Sequence, residues 1–447
     1  MQQNIERKTR DMDKIVLDKP ITGRRAKMQQ ILENYLNRSF YLYRKKMQHL
    51  NILLLALILF SVTTTFLAIT LQFSTIFRAI QLVGLLALLT SVFFVLETKI
   101  DSSYLKFVFI SYLVWQFFIV VRGDYSFNKD FLLSKVISPY GVLMYCTPVF
   151  LLFPRNLFFY KRLFDVIYIL TIIYLLSLVL FKSQIFSEED RDTIEYLTKY
   201  IEIGAGFILL TFPFNSPRKQ ILAIIVIILT MLIVAYKGRR SNLFMQSEYI
   251  MCSFFLYMLF NKKKSKKTYL YTVLILILFS GFYFLYQNQK KGTFKTLTER
   301  MYDDTRSGVE KLWVKDFLGK PLDLFIGRGV DGTYTYDQYD LDEHHITKNR
   351  SWIETGYMDI IMKGGIISIF FILLIALPAI YIGIFKTRNM FTKGAALMIL
   401  IWLINLYPDS LGLYFIINHM IVWICVGICY SKNIRELPDN RLKCILK

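Results

Sequence analysis

Charge is the scarcest property of this sequence. Only 19% of its 447 residues are Asp, Glu, Lys or Arg, whereas 55% are hydrophobic and 16% aromatic, with a mean hydropathy of +0.42. Soluble domains usually carry about 25% charged residues, so an ordinary soluble enzyme and a disordered chain are both excluded. Cysteine is scarce too. Cys146, Cys252, Cys425, Cys429 and Cys444 form no CxxC pair, and none falls in the long polar segment described below. Neither a disulfide framework nor a zinc site is indicated. No Walker loop, GxGxxG turn or HExxH stands in a suitable context, so no ATP-driven step and no nicotinamide cofactor are expected. The first fifty residues lack an early apolar core and a small-residue cleavage site, so a signal peptide is not expected there.

What the chain has in abundance is apolar sequence in blocks of membrane-spanning length. Crossing about 30 Å of hydrocarbon at 1.5 Å per residue takes roughly 20 residues. Twelve such blocks are read at 51–71, 79–97, 103–121, 136–153, 164–182, 201–214, 219–236, 243–260, 268–286, 365–385, 394–407 and 412–430, the sixth and eleventh being short. Basic residues outnumber acidic ones by 54 to 33. Lys and Arg collect in the tail 1–50, in alternate connections such as Arg155–Arg162 and Lys262–Lys267, and in the tail 431–447. The positive-inside bias then puts both termini in the cytoplasm and explains the net charge of +21 without nucleic acid. The expected fold is an all-α polytopic membrane protein, with helices over 51–286 and 365–430 and one large extracytoplasmic loop at 287–364. A loop of that length usually has a role, although a passive cap over the helices is the plain alternative.

Three groups of residues carry chemistry on the loop side. The connection Tyr236-Lys237-Gly238-Arg239-Arg240-Ser241-Asn242 places adjacent cations where outer turns are usually poor in them. Paired guanidiniums suit phosphate, and snorkelling to the interface is the bland explanation. Next come Asp304-Thr305-Arg306 with Trp313, and Gly327-Arg328-Gly329, whose glycines could turn amides toward an anion or form an ordinary turn. The third group is His344-His345, Asn349-Arg350-Ser351-Trp352 and Glu354-Thr355-Gly356-Tyr357, followed by Lys363-Gly364-Gly365-Ile366-Ile367. Glu354 near the membrane face has the placement of a general base. The histidine pair lacks a third ligand at metal spacing, so no metal is expected.

In this order the features resemble the superfamily of O-antigen polymerases and O-antigen ligases. Arg240 (or Arg239), Arg306 with Trp313, Gly327-Arg328-Gly329 and Gly365-Ile366-Ile367 fall in the family's sequence of motifs, over roughly residues 200–430. The resemblance implies a C-type glycosyltransferase-like fold. It also implies polymerisation of polyprenyl-diphosphate-linked oligosaccharide repeats at the outer face of a bacterial inner membrane. The partners would be that lipid-linked glycan, membrane lipids, and a flippase and chain-length regulator of the same pathway. Arg239, Arg240, Arg306, Arg328 and Arg350 would bind diphosphate; Glu354, then His345 and His344, would act as base; Trp313, Trp352 and Tyr357 would hold sugars or pack. One departure matters. Where ligases typically carry a His-Asn type motif, eleven residues before Gly365, this chain has Glu354-Thr355. That favours polymerase over ligase. A lipid-linked glycan flippase is the alternative from another class. The orientation is checked by single-cysteine labelling from outside: a probe at Asp337 should react and one at Lys264 should not, and the reverse pattern overturns it.

Overall fold

A computed structural model describes residues 48–69, 74–123, 141–187, 192–260, 306–339, 345–409 and 416–447. The tail up to residue 47, the expected ninth span at 268–286 and the first part of the loop, 287–305, lie outside these residues. The described helices are α1 (Gln48–Ile69), α2 (Ser74–Val95), α3 (Ser103–Val121), α4 (Val142–Cys146), α5 (Leu157–Leu180), α6 (Lys182–Phe186), α7 (Asp192–Leu210), α8 (Pro217–Tyr236) and α9 (Arg240–Phe260). After the gap come α10 (Ser307–Leu318), α11 (Pro321–Ile326), α12 (Gly356–Phe385), α13 (Met390–Asn405), α14 (Ile416–Tyr430), α15 (Lys432–Glu436) and α16 (Asp439–Leu446). Among the described residues six helices, α1, α2, α3, α5, α8 and α12, are long and apolar enough to cross a membrane. The chain is mostly helical, as a membrane-embedded protein requires, because only internally bonded backbone is tolerated in hydrocarbon.

The apolar surface supports the same reading. Phe93 and Phe107 are about three-quarters exposed, and Phe117, Val179, Leu180 and Phe385 also face outward. In water such a surface would be a large association site; against lipid tails it costs nothing. The interior is built differently. Helices α7, α13 and α14 are buried on nearly all sides, and the ring of Phe391 meets Tyr160, Phe164, Phe207 and Phe214.

Local sequence sets the helix ends. Ser102, Asn156 and Asn389 each accept a backbone N–H from the first turn of the helix that follows, and Pro217 opens α8 where an N–H would have no partner. Gly238 closes α8 with φ +67°; its N–H bonds the Ala235 carbonyl and the Arg239 N–H bonds the Val234 carbonyl. That double bond pattern ends the helix and reverses the chain into α9 within two residues.

Three elements differ from the sequence expectation. The span read at 201–214 is α7, which begins nine residues earlier because Glu195 and Lys199 find partners when buried. The described part of the span read at 136–153 is a five-residue helical segment followed by a 3-10 segment, Thr147–Leu152, with Pro148 at its start. The loop is not plain coil. It holds α10, α11 and an antiparallel hairpin of β1 (Tyr334–Tyr339) and β2 (His345–Arg350), with Tyr334 opposite Arg350. Among the described residues this two-stranded sheet is the one addition to an otherwise helical fold. Alternating Tyr334-Thr335-Tyr336 explains it: β-favouring residues with one side against a core. Tyr334 is fully buried with Trp313, Phe317, Ile353 and Met362.

Helix α12 starts at Gly356, but its backbone breaks at Gly365, where φ is +69°. Residue 365, read as the start of the tenth span, is thus a joint between a short helical segment and the long apolar one. The break leaves carbonyls without helical partners, and the loop supplies them: the Arg328 N–H bonds Met362 O at 2.8 Å and the Gly329 N–H bonds Lys363 O at 2.9 Å. A Cβ on Gly365 would lie 1.9 Å from the Phe325 carbonyl oxygen, and one on Gly327 would lie 2.4 Å from that of Lys363. Backbone sits on backbone here, and neither side can yield. Gly365→Ala should therefore cost about 2 kcal/mol or more, read as a lower thermal midpoint in detergent; an unchanged midpoint would refute the interlock.

Candidate functional site

The loop-side ends of α7, α9, α12 and α13 converge. On α7, Glu195 and Lys199 are one turn apart on one face. Lys199 Nζ lies 2.7 Å from Glu195 Oε1 and 3.1 Å from Asp409 Oδ1, beyond the end of α13. Arg239 Nη1, in the α8–α9 connection, lies 2.5 Å from Glu195 Oε2. Arg306, just before α10, lies 3.2 Å from Glu354 through its Nε and is within electrostatic reach of Glu195 and Asp409. Arg240 opens α9 on the same turn as Arg239. The side chains run from buried to open: Lys199 is 5% exposed, Arg306 33% and Glu354 54%. A ladder of alternating charge thus leads from the loop surface into the helices.

Each rung has a local cause. The Gly238 turn delivers Arg239. Asn418 fixes α7 by donating to the Lys199 carbonyl at 2.7 Å. The start of α12 rests on the end of α13, with the Tyr357 N–H bonding Leu406 O at 3.1 Å and the Tyr357 hydroxyl bonding Leu403 O at 2.6 Å. Thr355 donates to the Glu310 carboxylate and so ties α10 to this point. One step deeper on α7, buried Glu202 accepts from Asn242 Nδ2 at 3.2 Å. Carboxylates now occupy the cations. An anion with two charges could displace them, at least at the outer rung, where an exposed ion pair contributes only about 0–1 kcal/mol.

Of the residues singled out by sequence, Arg239, Arg306 and Glu354 meet in this ladder, with Arg240 beside it. Arg328 does not. Its Nε lies 2.8 Å from Asp323 Oδ2 and its Nη1 2.7 Å from Asp316 Oδ2, and it stacks on Phe317 at 4.1 Å. The glycines beside it do not cradle an anion either, because the Arg328 and Gly329 amides bond helix carbonyls. Trp313 is core, stacked on Phe317 at 4.3 Å, and Tyr357 is an anchor through both its amide and its hydroxyl. Arg350 covers the half-exposed ring of Trp352 at 4.0 Å. Tyr334, in the core of the loop, lies within electrostatic reach of both Arg350 and Glu354. His344 and the side chain of His345 lie outside the described residues. Sequence reading missed Glu195, Lys199 and Asp409. The available signal was ionisable residues in or beside apolar stretches, with Glu195 and Lys199 at helical spacing.

Asp316 and Arg328 tie α10 and α11 to the start of β1. Burial alone would raise the Asp316 carboxyl, but bonds from Arg328, Lys320 and the Thr335 N–H outweigh it and hold it well below the usual carboxylate range. The sign follows: a depressed pKa stabilises fully above about pH 4 and less as pH falls toward the folded value. Asp316→Asn should flatten the decline in thermal stability between about pH 5 and pH 2, and Arg328→Ala should cost about 2–4 kcal/mol, because Asp316 keeps only Lys320 and the Thr335 N–H and Asp323 loses its partner. An Asn variant with the wild-type pH slope would contradict this assignment.

Comparison of the chain with protein-family models, with curated proteins and with solved structures finds no match in any of the three, so the functional conclusion rests on the site itself and on the order of its motifs.

Proposed function

We propose that the charged ladder binds the diphosphate of a polyprenyl-diphosphate-linked oligosaccharide, and that the protein is a surface-polysaccharide polymerase joining such repeats at the outer face of a bacterial inner membrane. The observation that carries this reading is the convergence of Arg239 and Arg306 on Glu195. Two cations from separate segments, joined there by Lys199, meet where the loop covers the helices. The order of motifs shared with O-antigen polymerases and ligases supports it. On this reading both termini are cytoplasmic and the described loop faces outward.

The reaction is a displacement at an anomeric carbon. A sugar hydroxyl attacks, the bond to the lipid diphosphate breaks, and the departing anion is stabilised by Arg239, Arg306 and Lys199 in a setting that strengthens charge–charge contacts. Arg240 adjoins them. Glu354, released from Arg306 as the guanidinium turns to phosphate, accepts the hydroxyl proton. The donor is already activated, so no nucleotide takes part. Trp352, backed by Arg350, offers an exposed aromatic face to a sugar at the entrance. Glu202, buried within a helix, is the observation that favours a second reading, a transporter of the same lipid-linked glycan.

Purified protein in nanodiscs should extend lipid-linked repeats into longer glycans. Arg306→Ala and Arg239→Ala should lower extension by about 10²-fold or more, and lysine should rescue poorly because ammonium lacks the fork. Glu354→Gln should lower it by about 10²–10⁴-fold. Wild-type rates in the arginine variants would remove the clamp. Transbilayer movement of the glycan without extension would establish the transporter, and transfer only onto a lipid A core would establish the ligase.

A further inference from the structure

Beside the ladder, but separate from it, the loop-side ends of α3, α12, α13 and α14 and the segment Met144–Pro148 enclose a small cavity. Gly356 and Leu406, where α12 rests on the end of α13, line it and so join it to the outer rung. Its volume is about 50 Å³, room for about four groups of water size. That is too little for a lipid tail or an oligosaccharide, and enough for the hydroxyl-bearing edge of one sugar ring.

The lining has the chemistry of such an edge. Asp359 is 2% exposed; its carboxylate accepts the Ile353 N–H, yet its Oδ1 has no hydrogen-bond partner. Trp402 is 5% exposed, and its Nε1–H is likewise without a partner. Both line the cavity, as do the buried side chain of Gln116 and the rings of Tyr112 and Trp423. A buried acceptor and a buried donor left open each cost roughly 1–3 kcal/mol. Hydroxyl groups can serve each of them, giving a hydrogen to the carboxylate or receiving the indole N–H. Aromatic faces beside a few converging polar groups make a ligand site rather than a core. Lys363, on the next turn from Asp359, is held by the carbonyls of Gly332 and Ser351, each at 2.7 Å. It anchors the loop over the cavity.

We infer that this cavity is a sugar-binding subsite, in which Asp359 and Trp402 hold hydroxyl groups of a neutral carbohydrate. The inference deepens the proposed function, on which it rests only for the name of the ligand's owner: the sugar would be the acceptor glycan, presented to the diphosphate held at Arg239 and Arg306. The two subsites divide the work by chemistry, one for charge and one for hydroxyls.

The test is saturation-transfer NMR of wild-type protein in nanodiscs with a panel of free hexoses and N-acetylhexosamines, which carry no phosphate and no lipid. At least one sugar should bind in the millimolar range. Asp359→Asn and Trp402→Phe, each close in shape to the native residue, should weaken it about tenfold or more. Arg306→Ala should bind the sugar as wild type does while failing in chain extension. A panel that wild type does not bind, or binds equally well in both cavity variants, overturns the subsite and leaves a water-filled cavity. If Asp359→Asn fails to fold, Trp402→Phe decides alone. Sugar binding without chain extension by wild type would sink the polymerase reading and leave the subsite standing.

Discussion

A helix that stops without a cap leaves carbonyls that must bond something, and the loop side of this molecule follows from that need. At Gly365 the chain turns out of helical geometry, and the carbonyls of Met362 and Lys363 accept the amides of Arg328 and Gly329. The glycines admit two backbones to contact distance. Arg328, pinned there by its own amide, reaches Asp316 and Asp323 and draws α10, α11 and the hairpin onto the short segment Gly356–Gly364. From the other side, the Arg122 guanidinium at the end of α3 donates to the carbonyls of Ile326 and Gly327. Once the loop is fixed in this way, Arg306 and Glu354 sit beside the helices that carry Glu195, Lys199 and Arg239.

The ladder those residues form is costly in isolation. Desolvating charge costs several kcal/mol per ion, and removing one partner is worse than never having had the pair. Alternation keeps the sum tolerable: Glu195 lies between Lys199 and Arg239, and Lys199 between Glu195 and Asp409. The interactions therefore protect one another, and a divalent anion could exchange with the carboxylates without leaving any cation bare.

Sequence made the apolar helices legible because length and hydropathy are local properties. The third span, read at 103–121, is α3 to the residue. Where tertiary contact decides, local reading failed. The polar first turns of α7 looked like a connection because nothing near them in sequence announces Arg239 or Asp409. The secondary structure within the loop was not legible, because a hairpin resting on Trp313 and Phe317 is visible only once those rings are placed. Arg328 and Arg306 are alike as letters between small or polar neighbours. Only the positions of Asp316 and Asp323 show that the first is held in the loop while the second faces the ladder. Asp359 went unnoticed for a related reason: within MDIIMKGG it looks like the polar edge of a span, and its open carboxylate oxygen is a property of packing alone.

Helix α13 has 16 residues. At 1.5 Å per residue it measures about 24 Å, short of a hydrocarbon layer of about 30 Å. It is also buried on nearly all sides, packed between α9, α12 and α14. A segment of this kind gains little from lipid by itself and most from protein neighbours that are already in place. The long lipid-facing helices can draw stability from hydrocarbon directly, whereas α13, in the inner wall of the site, draws it from the helices around it.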